Sequence, residues 1–239
     1  MLKRILKSAV KAGKLASSPM ERVQTEPSTK PREVEIPDEE QIGKLLDHLK
    51  GHWLYLPTLL TIHTGLRRGE VCGLRWKDLN SGRLQVTQAI GRVGNKIGIT
   101  TLKTKRSRRS VTLPASLLAE LASHKKEQAT VRLRLGLGKD AAKLIFSMPD
   151  GKPLHPVVLS HTFSQKVREA GLPRTKFHSL RHFHISYLLK NGVPLHVVSA
   201  RAGHANASIT LNNYAHLMGG EDERAAQQAD KLFETLRRK

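Results

Sequence analysis

The chain has 239 residues, 38% of them hydrophobic, enough for one sizeable core and a small second unit. Lys and Arg number 41 against 20 Asp and Glu, a formal charge of +21, which argues against an enzyme of neutral small molecules and for a polyanionic partner, nucleic acid first. The single cysteine, Cys72, excludes an internal disulfide and a cysteine zinc cluster and fits a reducing compartment such as the bacterial cytoplasm. No apolar run is long enough to span a bilayer, so no membrane partner is expected.

In chain order, Leu2, Ile5, Leu6, Ala9 and Val10 share one face of a basic amphipathic helix. Residues 17–37 hold Pro19, Pro27, Pro31 and Pro37 with little apolar periodicity and read as a linker. The main domain starts near Asp38, where acidic residues suit a helix N-terminus and Ile42, Leu45, Leu46 and Leu49 mark a buried stripe. A second helix runs from about Leu54 to Gly65, and a short third begins at Arg68. Residues 82–113 change character. Arg83–Thr87, Ile97–Leu102 and Ser110–Leu113 are β-like and predict a small antiparallel sheet of two or three strands. Helices are predicted again over 115–135, 157–170, 178–190, 194–202 and 207–213, then over a tail, 221–238, that runs from acidic to basic. Tyr55 and Tyr187 are expected in the core, and Cys72 as buried packing.

Breaking a phosphodiester without a metal requires a nucleophile, cationic groups on the non-bridging oxygens, and a proton donor for the leaving oxygen. The chain holds these types in order. Thr64-Gly65-Leu66-Arg67 places an arginine at a glycine-ended helix, with Glu70 three residues on and able to orient it. A basic hairpin carries Lys103, Lys105, Arg106, Arg108 and Arg109. His178-Ser179-Leu180-Arg181-His182 sets a histidine and an arginine on one helical face. Gly203-His204 follows, and Tyr214 lies ten residues past His204. His178 and His182, four apart, could hold zinc on a helix, but no glutamate follows His178, and metal binding is not expected.

Over residues 38–217 this order resembles the tyrosine recombinase, or phage integrase, family. The resemblance implies a mainly α fold with a small antiparallel β-sheet, that of a tyrosine recombinase catalytic domain. It implies a site-specific recombinase of a prophage or mobile element that works without cofactor. Arg67 and Arg181 would grip the scissile phosphate with planar, permanently charged forks. Lys103 would protonate the departing 5′ oxygen, although Lys105, two positions away, would point the same way on a strand. His178 would help take the tyrosine proton, His204 would bond a phosphate oxygen, and Glu70 would support. Tyr214 would be the nucleophile and form a 3′-phosphotyrosyl link. Lys105, Arg106, Arg108 and Arg109 would contact the DNA backbone.

The expected partner is double-stranded DNA at attachment sites, bound by a homo-tetramer, with room for DNA-bending accessory proteins and an excisionase. Residues 1–17 would be the last helix of an otherwise absent core-binding domain, 18–37 the linker, 38–218 the catalytic domain, and 219–239 a helical tail exchanged between subunits. Ser179 and Ala202 depart from the family's usual acidic residue and leucine; neither removes a catalytic group. A non-catalytic DNA-binding relic and a type IB topoisomerase are the competing readings.

Overall fold

The computed structural model describes residues 2–21, 36–94, 96–102, 107–137, 143–215 and a few positions of the tail. Lys103, Lys105 and Arg106, most of the linker and nearly all of the tail lie outside the described residues. The chain divides into two compact units, Met1–Val34 and Glu35–Lys239.

In the first unit, α1 (Leu2–Lys11) has the expected amphipathic stripe, with Leu2 and Ile5 exposed. A 3-10 turn, Pro19–Glu21, follows.

In the second unit, α2 (Glu39–Leu49) opens on a reciprocal cap: the Gln41 amide donates to the Asp38 carboxylate at 2.8 Å, and Gln41 accepts from the Asp38 amide at 3.2 Å. Its stripe of Ile42, Leu45 and Leu49 is buried. α3 (Tyr55–Thr64) ends at Gly65, which is left-handed at φ 65°. A side chain there would meet the His184 ring at 2.6 Å, so glycine is required both for the turn and for the close approach. The short α4 (Arg68–Gly73) then starts with Arg67 still extended.

The region expected to hold one small sheet forms two. β1 (Leu79–Asn80), β2 (Arg83–Val86) and β5 (Arg109–Thr112) make an antiparallel sheet in the order β1-β2-β5. β3 (Gln88–Val93) pairs separately with β4 (Lys96–Thr101) as an antiparallel hairpin. β3 has no alternating pattern of its own. Its placement comes from packing on α4, where Gly69 and Gly73 let the β3 backbone approach so closely that a Cβ would fall within 2.9 Å of it.

The remaining helices are α5 (Ala115–Arg134), α6 (Pro156–Glu169), α7 (Ser179–Lys190), α8 (Leu195–Ala202) and α9 (Ala207–Tyr214). The main core collects Leu60, Val71, Cys72, Leu84, Ile145, Phe163 and neighbours. A second cluster joins Ile185, Leu189, Val198, Ala202 and Tyr214, and so packs α7, α8 and α9 around the last tyrosine.

Cys72 is buried, and burial pushes its thiol up to about 12, so it is inert packing. Tyr55 is partly buried against the main core. Tyr187 differs from the core position expected of it: it is 43% exposed on the outer side of α7, stacked on Phe183 at 5.9 Å. Its place two residues from both Ile185 and Leu189, about half a helical turn, points it away from the core that they enter.

Phe163 of α6 is fully buried and meets Phe177 edge to face at 5.2 Å. Phe163→Ala is expected to cost about 3–5 kcal/mol in chemical denaturation; a loss below about 1 kcal/mol would contradict this account of the core.

Candidate active site

The C-terminal end of α8 is where the separate motifs meet. Gly203 ends the helix left-handed at φ 71°, which turns three successive carbonyls toward arginines from other elements. Arg201 O accepts from Arg109 Nε at 2.8 Å. Ala202 O accepts from Arg181 at 2.7 Å. Gly203 O accepts from Arg67 at 3.1 Å. A helix C-terminus carries a partial negative charge from its unpaired carbonyls, so it is a natural seat for guanidinium groups.

Arg181 sits on the first turn of α7 and is 3% exposed. The same terminal nitrogen that bonds Ala202 also donates to Gly65 O at 2.7 Å, which ties the end of α3 to the end of α8. Its other terminal nitrogen is buried and has no hydrogen-bond partner among the described residues. Burial, and then the Arg67 charge, push Arg181 down to about 9, opposed by Glu70, so it stays cationic at neutral pH. A buried, unpaired guanidinium donor is costly unless an acceptor arrives.

Arg67 is 41% exposed on the open side. Glu70 accepts from its backbone amide at 2.9 Å and from its guanidinium at 3.0 Å. The second partner of Glu70 is Arg109, which donates to both carboxylate oxygens at 3.2 and 2.9 Å. Burial alone would raise the Glu70 carboxyl. The Arg109 bonds and charge, with those of Arg67, outweigh it and hold the group below the usual carboxylate range.

Arg109 therefore differs from the backbone-contacting residue expected in the basic hairpin. Its side chain is 6% exposed and spent on Glu70 and the end of α8. It belongs to the first position of β5, whose inward side faces the site. Composition alone does not separate it from its neighbour Arg108, which is exposed.

The histidines and the tyrosine complete the cluster. His204 is hydrogen-bonded to Thr210 Oγ1 at 2.6 Å. Tyr214, the last residue of α9, is 2% exposed. Its hydroxyl is hydrogen-bonded to Nδ1 of His182, not to His178. His178 instead stands edge-on to His182, with ring centroids 4.9 Å apart. His182 was legible in the sequence only as the last residue of the His178–His182 motif. Its role depends on α9 folding back over α7.

A groove of about 710 Å³ opens beside this cluster, lined by Arg67, Arg68, Glu70, Lys176 and His178 among others. Lys176 is a further cation that sequence reasoning missed. A larger groove, about 830 Å³, lies by Trp53, His124 and Phe146 and contains none of the motif residues. Among the described residues no group of His, Cys, Asp or Glu side chains is arranged to hold a metal ion, and no helix is long and apolar enough to cross a membrane.

Comparison with known proteins accords with this geometry. The family model described as "Phage integrase family" matches residues 36–220. The chain belongs to the phage integrase family. A XerC-like tyrosine recombinase of Caldanaerobacter subterraneus subsp. tengcongensis is 34% identical over 92% of this chain and 58% of its own length. The ICEBs1 integrase of Bacillus subtilis is 26% identical over 97% of the chain and 64% of its own length. The chain thus spans about three-fifths of the length of these family members. The integrase of the Tn1549 transposon, solved with transposon right-end DNA, shares the fold at a TM-score of 0.77 and 23% identity, over 94% of this chain and 76% of that one. A lambda integrase dimer bound to a core site shares it at 0.62 and 17% identity, over 89% and 56%.

Two predictions follow from the geometry. A Cβ on Gly203 would lie 2.6 Å from the Arg109 guanidinium on a left-handed backbone, so Gly203→Ala should destabilise the fold by about 1–3 kcal/mol, read by thermal or urea unfolding; parental stability would contradict the tight end of α8. Burial pushes His184, beneath Gly65, down to about 4, and desolvation with nearby arginine charge does the same to His178 and His204. The unfolded chain takes these protons near pH 6.5, whereas the folded chain resists them until about pH 4. Stability from these groups is therefore full above pH 6.5 and is lost as pH falls toward 4. The melting temperature should drop across that window, less steeply in His184→Asn; equal slopes would count against the buried neutral ring.

Proposed function

We propose that the chain is the catalytic part of a site-specific recombinase, the integrase of a prophage or other mobile element, which cuts and rejoins DNA through Tyr214. The observation that carries this reading is the meeting of two arginines with a tyrosine. Arg181, with a buried donor unpartnered among the described residues, is close enough to Tyr214 for its charge to act on the phenol, and the half-exposed Arg67 shares the end of α8 with Arg181. A phosphate oxygen is the acceptor such a site lacks.

In the proposed reaction Arg67 and Arg181 hold the two non-bridging oxygens and offset the charge that grows on them. His204 donates a further hydrogen bond. Tyr214 attacks phosphorus, the 5′ oxygen leaves with a proton from the hairpin lysine, Lys103, and the DNA is held as a 3′-phosphotyrosyl ester. The ester conserves the bond energy, so a second 5′ hydroxyl can reverse the step without ATP. Guanidinium charge does the work a metal would otherwise do at phosphorus. Glu70 and Arg109 keep Arg67 in position.

The excess of 21 positive charges supports duplex DNA as the partner, with exposed Arg108, and with Lys105 and Arg106, on the phosphate backbone. Lambda integrase has been solved as a tetramer on a Holliday junction. By that likeness we assign the same assembly here, with residues 219–239 exchanged between subunits and residues 1–17 ending a DNA-clamping domain.

The test is covalent capture. The chain and its Tyr214→Phe variant are incubated with a nicked suicide duplex carrying an attachment site, with EDTA present, and resolved in SDS. An adduct with the parent and none with the variant is expected, and Arg181→Ala should form it at least ~100-fold more slowly. An adduct that survives in Tyr214→Phe, or that requires a divalent ion, would overturn the proposal.

A further inference from the structure

We infer that His182 is the base that receives the Tyr214 proton during strand cleavage and returns it during rejoining. The inference rests on Tyr214 being the nucleophile, and the hydrogen bond between His182 Nδ1 and the Tyr214 hydroxyl carries it.

Tyr214 is almost wholly buried among α7, α8 and α9, out of reach of bulk water as a proton acceptor. Burial pushes its phenol up to about 12, only partly offset by the Arg181 charge. A resting tyrosine of that kind does not ionise by itself near neutral pH. It needs an acceptor already in contact, and among the described residues the hydroxyl's hydrogen-bond partner is His182. The two rings lie 5.8 Å apart at 40°, so the contact is nitrogen to oxygen rather than face to face. His178 stands one ring further away, edge-on to His182.

The surroundings set when the base acts. Desolvation, and then the Arg181 charge, lower His182 from its ordinary value, so at rest it is a neutral imidazole with a free lone pair. The titratable and charged groups around it are His178 and Arg181 from its own helix, Tyr214 from α9 and, through electrostatics, His204. A phosphodiester entering between Arg67 and Arg181 adds negative charge beside these cations. That favours the imidazolium form, so His182 becomes a better base when the substrate is in place.

The step balances. The Tyr214 O–H bond breaks and its proton passes to Nδ1 of His182. The phenolic oxygen bonds phosphorus. The bond from phosphorus to the 5′ oxygen breaks, and that oxygen takes its proton from the hairpin lysine. In rejoining, the His182 imidazolium gives its proton to the departing tyrosine oxygen. His178 remains a neighbour that steadies the His182 ring and can bond the phosphate.

The test compares the parent, His182→Asn and Tyr214→Phe. Asparagine keeps a hydrogen-bond acceptor near the Nδ1 position but cannot hold the proton. Two reactions are followed on duplexes carrying a site selected by the parent chain from a random pool. One is adduct formation on a nicked suicide duplex. The other is joining of a 5′ hydroxyl to a 3′-para-nitrophenyl phosphate end, which needs the arginines but not Tyr214. His182→Asn is expected to slow adduct formation at least ~100-fold while joining stays within about two-fold of parent, as in Tyr214→Phe. Adduct formation at the parental rate would reduce His182 to a positioning role, and loss of both reactions would make it a phosphate ligand or a folding residue; either overturns the inference. A DNA-free measurement decides independently. Nitrogen-15 NMR should find the His182 ring of the parent protonated at Nε2 with Nδ1 bare, and Nδ1 should shift in Tyr214→Phe. A proton on Nδ1 at rest would overturn the inference outright. A parent chain that forms no adduct would count against the recombinase reading and leave the NMR result to judge His182.

Discussion

Three carbonyls at the end of α8 hold the site together. Arg201, Ala202 and Gly203 each present an oxygen to a guanidinium, from Arg109, Arg181 and Arg67 respectively. These arginines come from β5, the start of α7 and the α3–α4 junction, which are far apart in sequence. Like charges so close repel one another. The partial negative charge of the helix end and the buried Glu70 carboxylate, shared by Arg67 and Arg109, offset that repulsion. The left-handed Gly203 makes the arrangement possible, because any side chain there would collide with Arg109.

That anchoring holds the arginines in fixed positions. Arg181 has one terminal nitrogen spent on two carbonyls and the other buried without a partner among the described residues. The fold bears this desolvation cost, and a phosphate oxygen would relieve it. Rigid donors aimed at a place where charge will develop need no rearrangement at the moment of reaction, which is the most effective use of electrostatics in a low-dielectric site. Arg67 is the complementary half: Glu70 and the Gly203 carbonyl orient it, while much of its side chain stays open to the groove.

The other side of the site is governed by burial. α9 folds Tyr214 into the small cluster with Ile185, Leu189, Val198 and Ala202, and the same packing sets its hydroxyl against His182. One contact thus both hides the phenol and gives it an acceptor. The neutral state of His178 and His204 has the same origin in desolvation and surrounding arginine charge. Neutral rings can donate or accept a hydrogen bond at a phosphate without adding to an already crowded set of cations.

Much of this was legible in the residues themselves. Apolar periodicity, the Asp38 cap and the glycine stops located the helices within a residue or two, because those signals are local. The order of Arg67, Glu70, His178, Arg181, His204 and Tyr214 identified the family, since each sits in a short motif. β3 was missed because its conformation is imposed by the glycines of α4, not by its own pattern. Composition cannot distinguish Arg109 from Arg108; only the placement of β5 beside Glu70 does so. Nothing local marks His182, because its partner lies 32 residues away and meets it only when α9 packs on α7. Local motifs specify the parts and the chemistry each can offer. Packing settles which arginine braces Glu70, which one keeps a buried donor unpaired among the described residues, and which histidine faces the tyrosine, because hydrogen bonds between distant residues exist only once their elements have come together.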